Sequence, residues 1–396
     1  MGDVENAVLR VVSRIADVPA SDWDACARGS ESDASSRRPA NPFISHAFLS
    51  ALEGSGAASR ETGWLPRHLL LEDGNGRLVG AVPCYLKSHS FGEYVFDHGW
   101  ADAYERAGRR YYPKLQAAVP FTPVTGKRLL VRPGPDIAER EAILLKAATT
   151  LTEQSGVSSL HVTFLTEPEW RLAGKLGLLQ RTDQQFHWRN EGYSSFEDFL
   201  GALASRKRKA IRKERRDALD GGIDIEWVSG SDLKEAHWDA FFAFYMDTGA
   251  RKWGTPYLNR ECFSRLGETM AAQILLVLAK RGGRAIAGAL NVIGADALYG
   301  RYWGAIEEHP CLHFEVCYYQ AIDFAIQHRL ARVEAGAQGQ HKLARGYLPV
   351  PTYSAHYIAD LGLRRAVGDF LRRERRAVAQ DTALLNEESP FRHEAK

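Results

Sequence analysis

The chain has 396 residues, more than one ordinary domain holds, so two domains are expected, each burying its own core. Hydrophobic residues make up 45% and charged residues 25%, as in soluble globular proteins, and the net charge of +2 does not by itself indicate a partner. Five cysteines without the spacing of a disulfide framework predict reduced thiols and a cytoplasmic location. Neither a secretory leader nor a membrane span is expected, because the sequence shows no signal-peptide pattern and no apolar run of spanning length.

The first half of the chain alternates between strand and helix patterns. Asp-Gly and Asn-Gly pairs at 73–76 lie between apolar runs and predict a hairpin of two strands, 67–72 and 78–87. Ser45 is a suitable N-cap for a helix at 45–55, whereas the prolines and glycine of 119–126 exclude a regular element. The remaining predictions are a strand at 8–18, helices at 21–27, at 137–154 and from Glu167, and strands at 160–165 and 179–188.

The second half repeats an order of helices, a β-meander, a helix and closing strands. One helix is predicted for 194–219, and two glycine-containing turns separate three strands at 274–280, 284–293 and 297–304. The other predictions are a strand at 223–228, helices at 233–250, 260–271, 314–329 and from Leu363, and strands at 333 and 352–358. The repeated order indicates an internal duplication, with domains at 1–190 and 191–396.

A polar loop between the last two predicted strands is the strongest candidate for a site. Its glycines at 336, 339 and 346 allow positive φ or a close backbone approach. Loops that carry many hydrogen-bonding and charged side chains between strands are common places for function. The candidate side chains in this loop are Gln338, Gln340, His341, Lys342 and Arg345.

Several motifs resemble those of a known family. They are NPFISHAFLSALE (41–53), PFTPVTGKRLL (120–130), SRKRKAIRKERR (205–216), EAGAQGQHKLARGY (334–347) and the longer stretch 297–342. Together they resemble the FemAB-like family of predicted N-acyltransferases, which is related to the Fem-type peptidoglycan aminoacyltransferases. The resemblance implies an α/β fold of tandem GNAT-like (acyl-CoA N-acyltransferase) domains, each a mixed, mostly antiparallel sheet flanked by helices. It also implies transfer of an aminoacyl or acyl group to an amine, with a peptidoglycan precursor as one acceptor.

A basic helix at 203–219 is the expected phosphate-binding element. Ile211 and Ala218 fall on one apolar stripe that can dock the helix, and the basic side chains proposed for phosphate are Lys207, Arg208, Arg212 and Arg215. Like charges at this spacing oppose helix formation, but arginines bind phosphates bidentately. The candidate phosphates belong to tRNA, to coenzyme A or to a lipid-linked precursor; DNA is not expected.

The donor is the main alternative that the sequence leaves open. An acyl-CoA enzyme of the GNAT type needs a glycine-rich pyrophosphate loop at a helix N-terminus, and no such loop is present. This favours aminoacyl-tRNA over acyl-CoA as a co-substrate, with no tightly bound cofactor. The alternatives are a CoA-dependent N-acyltransferase acting on a small molecule or peptide amine, and a noncatalytic protein that binds RNA or a cell-wall precursor. No metal is expected, since the His and Cys spacing of 309–317 matches no zinc motif.

Transfer requires that an amine lose a proton while an oxyanion is stabilised. The sequence offers His341 or Glu334 for the proton and Lys342 or Arg345 for the oxyanion. Further substrate-binding candidates are Arg301, Tyr302, Trp303, Glu315, Tyr318, Tyr319 and His356. For the acceptor, the first domain offers His98 and Trp100.

Overall fold

The computed structural model describes residues 7–28, 39–252, 256–336 and 339–392, and of Ala250, Lys252 and Gln340 only the backbone. The strands are Val8–Val12 (β1), Trp64–Pro66 (β2), His68–Glu72 (β3), Leu78–Val82 (β4), Cys84–Lys87 (β5), Lys114–Ala117 (β6), Leu130–Val131 (β7), Ser159–Leu165 (β8), Leu179–Arg189 (β9), Ile223–Ser229 (β10), Ile274–Arg281 (β11), Arg284–Ile293 (β12), Ala297–Ala305 (β13), Arg332–Glu334 (β14) and Leu348–Ile358 (β15). The α-helices are Ala20–Ala27 (α1), His46–Gly54 (α2), His98–Arg106 (α3), Ile137–Gln154 (α4), Glu167–Lys175 (α5), Phe196–Ala202 (α6), Ser205–Leu219 (α7), Glu235–Lys252 (α8), Arg260–Met270 (α9), Leu312–Phe314 (α10), Gln320–Gln327 (α11) and Leu361–Glu387 (α12). Within this described part, no helix is long and apolar enough to cross a membrane.

The chain divides into two compact units. Unit 1 comprises Met1–Asp183 and Pro351–Ala379, and unit 2 comprises Gln184–Val350 and Gln380–Lys396. These limits correct the contiguous domains 1–190 and 191–396 that the sequence predicted. The physical reason is strand pairing: residues 353–358 of β15 run antiparallel to β8, so the chain returns to unit 1 after unit 2.

Unit 1 contains two sheets. One has the strand order β1-β3-β4-β7, and β3 pairs antiparallel with β4 across the turn at 73–76, as the Asp-Gly and Asn-Gly pairs predicted. The other runs β15-β8-β6-β5-β2, with β6 and β8 parallel to each other. Leu144, Leu145 and Ala148 of α4 belong to the apolar core that these strands share. Ser45 accepts a hydrogen bond from the backbone of Phe48 and caps α2, as predicted.

Unit 2 is built on a six-stranded sheet in the order β10-β11-β12-β13-β14-β9, to which β9 contributes residues 187–189. The first six residues of β11 are all buried, because helices cover both faces of the sheet. Phe241 of α8 packs near Gly288 on one face, and Ile322 of α11 belongs to the core on the other. Three antiparallel strands, β11 to β13, are followed by a parallel one, β14, which starts the region of interest.

The structure corrects two helix predictions in unit 2. The helix expected over 194–219 is broken at Leu203 and Ala204. There the Ala204 amide donates to the carbonyl of Pro390, while Leu203 forms a β-bridge with Phe391. The helix expected over 314–329 begins with α10, continues as a π-helical turn over Glu315–Tyr319 and only then becomes α11. Both departures shape the candidate site.

Candidate active site

The site begins where two parallel strands of unit 2 separate. Strand β13 pairs with β14 at only three positions, 297–299 against 332–334. It then continues to Ala305, still paired on its other side with β12. The backbone of 301–305 therefore has no partner strand on the β14 side in the described part of the chain. A register shift between Leu290 and Asn291 adds one residue to β13 at this point, and bulges of this kind often lie beside active sites.

The helix beside this opening carries a π-helical turn. Such turns widen a helix locally and are frequent at functional sites. Here the turn over Glu315–Tyr319 buries both Tyr318 and Tyr319. Just before it, the ring of His313 lies 5.2 Å from that of Trp303 on β13. Sequence reasoning had singled out Trp303 and the tyrosines but missed His313 as a member of this cluster.

His341 lies exposed at the start of the 3-10 turn Gln340–Arg345. Gly339 and Gly346 flank the turn with φ of 113° and 88°, values that favour glycine and that allow the chain to reverse. The His341 Nε2 atom is 2.9 Å from the Tyr318 hydroxyl. Partial burial and the nearby cations Arg345 and Lys342 lower the pKa of His341, so its imidazole is neutral at pH 7 and able to accept a proton.

Lys342, which follows His341 in the chain, is buried. Its Nζ donates to the carbonyl oxygens of Ala335 and Gly336, at 2.6 and 3.1 Å, at the point where the chain leaves β14. Burial lowers the pKa of Lys342 to about 8. An ammonium has three N–H donors, and within the described part of the chain the two carbonyls use two of them.

Arg345 fixes the turn rather than facing substrate. It donates to both carboxylate oxygens of Glu214 at 2.9 Å and to the His341 carbonyl at 2.7 Å. Its guanidinium also stacks 3.4 Å from the centroid of the Phe314 ring. The prediction that Arg345 stabilises an oxyanion is therefore replaced by a positioning role, which depends on Glu214, a residue that the sequence did not single out.

Three other predicted site residues are engaged in internal pairs. Glu334, proposed as a base, is buried and accepts from Arg332 Nε at 2.9 Å. Glu315 has a fully buried side chain and pairs with Arg215 at 2.8 Å. The Tyr319 hydroxyl donates to Glu214. These contacts stabilise unit 2 and leave His341 and Lys342 as the groups available for chemistry.

Three more of the predicted residues, Arg301, Tyr302 and Trp303, lie on β13 at the opening. Tyr302 and Trp303 lie half-buried on β13, and Arg301 stacks 5.5 Å from the Tyr302 ring. Gln338 lies outside the described residues, as does the side chain of Gln340.

Three predicted residues belong to unit 1, where they are not part of this opening. His98 is exposed beside Phe91 and Phe96. Trp100 and His356 pack together with ring centroids 4.9 Å apart, in a buried polar cluster. There His356 Nδ1 lies 2.8 Å from His161 Nδ1, and Lys114 pairs with Glu93 at 2.7 Å and with Asp97.

The basic face of α7 differs from the one predicted. Arg215 points inward, toward Glu315 and Asp323, because its guanidinium pairs with both. Arg212 is exposed and pairs with Glu197 at 2.5 Å, while Lys207 and Arg208 are half-buried. The exposed cations of α7 that pair with no described residue are Arg206, Lys209, Lys213 and Arg216. The last three have the spacing of the predicted Arg208, Arg212 and Arg215, shifted by one residue, because the burial of Ile211 decides which side of the helix faces solvent.

The turn between β13 and α10 is acidic. Glu307 pairs with Arg281 at 2.7 Å and with His309 at 3.0 Å, and these partners lower the pKa of its carboxyl group. Glu308 is exposed and pairs with Arg251 at 3.2 Å. Two acidic side chains in front of a helix N-terminus oppose the binding of a pyrophosphate there.

Comparison with known structures assigns the fold to a class. The chain is similar to the crystal structure of FemX, with a TM-score of 0.54, 11% sequence identity and coverage of 89% of this chain and 98% of that chain. It is also similar to L-PGS from Bacillus licheniformis (TM-score 0.49, 9% identity, 81% and 95% coverage) and to a tandem GNAT protein from the clavulanic acid biosynthesis pathway (0.44, 13%, 89% and 99%). The likeness to FemX, with its TM-score above 0.5, is the one that supports the fold: the protein has an α/β fold of tandem GNAT-like units, as the sequence predicted. Among the described residues, each unit contains a parallel strand pair, β6 with β8 in unit 1 and β13 with β14 in unit 2.

The family follows from the sequence match. A model of the FemAB-like family, described as peptidoglycan biosynthesis/recognition, matches residues 14–393. Because the match spans nearly the whole chain, the protein belongs to the FemAB-like family. No curated protein matches the chain significantly.

Proposed function

We propose that this protein transfers an aminoacyl group from an aminoacyl-tRNA ester to an amine, with a peptidoglycan precursor as the acceptor class. The observation that carries the proposal is the end of β14 at this opening, where the buried Lys342 ammonium is held by the carbonyls of Ala335 and Gly336 and lies near the exposed imidazole of His341. The family's description as peptidoglycan biosynthesis/recognition supports the acceptor.

The chemistry assigns one role to each group. The acceptor amine attacks the ester carbonyl, a C–N bond forms, and the oxyanion is stabilised by the remaining N–H of Lys342. His341 accepts the proton that the amine loses at Nδ1, which requires the tautomer whose Nε2–H donates to the Tyr318 oxygen 2.9 Å away. The C–O bond to the tRNA ribose then breaks, and the imidazolium returns the proton to the leaving oxygen.

The charges around the opening support tRNA as the donor rather than acyl-CoA. Glu307 and Glu308 occupy the turn that would have to hold the pyrophosphate of coenzyme A. The exposed cations Lys209, Lys213 and Arg216 on α7 suit an extended phosphate backbone, whose binding depends strongly on salt.

The test is a donor competition with the purified full-length chain. Charged tRNA pools and a set of acyl-CoAs are offered separately with amine acceptors that include peptidoglycan precursor peptides, and the products are identified by mass spectrometry. The variants are His341→Ala and Lys342→Met, with Lys234→Met as a matched control, because Lys234 is an exposed lysine of unit 2. We expect transfer from charged tRNA that falls at least about 100-fold in both site variants and is unchanged in the control.

Other outcomes select the alternatives. Transfer from acyl-CoA alone would make the protein a CoA-dependent N-acyltransferase and refute the donor assignment. Salt-sensitive RNA binding without transfer to any acceptor would indicate a noncatalytic binding protein. Full activity of both site variants would exclude the 3-10 turn as the catalytic element.

A further inference from the structure

One side of helix α7 is tied directly to the candidate site. Glu214, on this inner side, accepts hydrogen bonds from Arg345 Nη2 with both carboxylate oxygens, each at 2.9 Å. Tyr319 of the π-helical turn donates its hydroxyl to the same carboxylate. Arg345 also donates from Nη1 to the carbonyl oxygen of His341 at 2.7 Å. The Glu214 carboxylate is therefore linked through one arginine to the backbone of the residue proposed as the base.

The contact between Glu214 and Arg345 is largely shielded from water. The side chain of Arg345 is 8% exposed and that of Glu214 is 24% exposed. The ring of Phe314 covers the guanidinium, whose carbon atom lies 3.4 Å from the ring centroid. Hydrogen bonds between ionised groups are about twice as strong as neutral ones, and shielding from water preserves their strength. Glu214 therefore decides where the guanidinium lies, and with it the turn that carries His341.

The outer side of α7 carries the cations proposed for phosphate. Lys209, Lys213 and Arg216 are exposed and follow one another at spacings of four and three residues. Like charges at these spacings destabilise a helix, and bound phosphates would relieve the repulsion. A ligand that stabilises α7 also stabilises the contacts of its inner side, because both depend on the folded helix.

We infer that Glu214 is a positioning residue that couples RNA binding on α7 to the placement of His341, an inference that rests on the proposed function. Phosphates on the outer side stabilise α7, Glu214 on the inner side holds Arg345, and Arg345 holds the His341 carbonyl. Coupling of this kind is reciprocal, so an ordered turn also strengthens RNA binding. Glu214 acts through Arg345, whereas His341 and Lys342 act on the reacting atoms.

Hydrogen exchange of peptides that cover 339–347 tests the coupling without turnover. Within this turn the amide of Lys342 donates to the carbonyl of Gly339 at 3.1 Å, so exchange reports opening of the turn. The probe is uncharged tRNA, added to the full-length chain at low salt. In Glu214→Ala we expect exchange without RNA to be at least about 10-fold faster than in the wild type. Saturating tRNA should slow exchange at least about 3-fold in the wild type and leave the variant unchanged.

Three further variants identify the route of the coupling. Glu197→Ala is the matched control, because Glu197 also pairs with an arginine of α7, but with the exposed Arg212, and it should behave as the wild type. Glu214→Gln keeps a side-chain oxygen that can accept from Arg345 and should recover part of the response. Glu214→Ala/Arg345→Met should exchange no faster than Arg345→Met alone, because the two residues act as one unit. Urea unfolding of each variant separates opening of the turn from global unfolding.

Reciprocity gives a second, independent measurement. Glu214→Ala should bind uncharged tRNA more weakly than the wild type by the factor by which tRNA slows exchange in the wild type. A response to tRNA that persists in Glu214→Ala, or wild-type exchange that tRNA leaves unchanged, would refute the coupling. The proposed function fails separately, when charged tRNA gives no transfer in the donor competition, since exchange and binding of uncharged tRNA require no turnover.

Discussion

Replacing Arg215 should destabilise the fold rather than weaken phosphate binding. The guanidinium donates to Glu315 Oε2 at 3.1 Å and Oε1 at 2.8 Å and pairs with Asp323 at 2.8 Å. In Arg215→Met the Glu315 carboxylate stays fully buried, with the Gln320 amide at 2.7 Å as its remaining side-chain donor among the described residues. Removing one partner of a buried ion pair costs about 3–5 kcal/mol. Because the Gln320 hydrogen bond remains, we expect the loss in the free energy of unfolding to lie near the lower end of this range, at about 3 kcal/mol.

Arg212 provides the matched comparison on the same helix. Its side chain is 46% exposed and that of its partner Glu197 is 65% exposed. An exposed pair of this kind contributes little to stability, so Arg212→Met should leave the free energy of unfolding nearly unchanged. The unfolding midpoint of Arg215→Met should therefore lie clearly below that of Arg212→Met, although the two arginines are three positions apart on one basic helix.

The assay is urea unfolding of the full-length variants followed by circular dichroism, with hydrogen exchange of peptides from 205–219 as a local readout. Salt-dependent RNA binding is titrated in parallel. Arg215→Met/Glu315→Met should recover most of the stability, because replacing both charges by apolar groups removes the unpaired carboxylate. Equal unfolding midpoints for Arg215→Met and Arg212→Met, together with loss of RNA binding only in the former, would refute the assignment.

Three further predictions concern pH and packing. The acid limb of the transfer rate against pH should lie below about pH 6.5, the ordinary imidazole value, because the pKa of His341 is lowered. Burial lowers the pKa of both His161 and His356, so on acidification the unfolded chain binds protons that the folded chain does not. Urea titrations should therefore show the free energy of unfolding decreasing as pH falls below about 6.5. The expected slope is up to about 1.4 kcal/mol per pH unit for each imidazole. Gly304→Ala should destabilise unit 2 by several kcal/mol in the same assay, because a Cβ there would lie 2.2 Å from the backbone of Phe244.

Each of these predictions has its own control. For the pH dependence of stability, the control is Glu93, because burial raises the pKa of its carboxyl group to about 7. Between about pH 7 and 4.5 the folded chain therefore binds a proton at Glu93 more readily than the unfolded chain, which raises the free energy of unfolding as pH falls. Glu93→Gln removes this opposing contribution, so the variant should lose stability more steeply on acidification. For packing, Gly201→Ala should change the midpoint little, since nothing lies within 4 Å of its added Cβ. A Gly304→Ala protein as stable as Gly201→Ala would contradict the close approach. For catalysis, an acid limb that is unchanged in His341→Asn would exclude His341 as the base.

Local sequence determined much of the fold of each unit. The hairpin turn at 73–76, the Ser45 cap and the strands β11 to β13 depend on neighbouring residues, through turn chemistry, capping and the spacing of apolar side chains. The cluster of His341 and Lys342 was also visible in the sequence, because a glycine-spaced polar loop between strands is itself a local signal.

Only the tertiary structure decided which of those residues are available. Arg345 and Arg215 carry the same charge as any surface arginine in the sequence, yet Glu214, 131 residues away, and Glu315, 100 residues away, engage them. His161 and His356 are 195 residues apart and meet only because β15 returns to pair with β8. Asn291 opposes Gly300 only because of a register shift between two strands. Pairings over such distances are set by strand order and by the burial of apolar faces, which no local pattern specifies. The sequence therefore indicates which chemical groups are present, whereas the fold determines which of them are engaged in internal pairs.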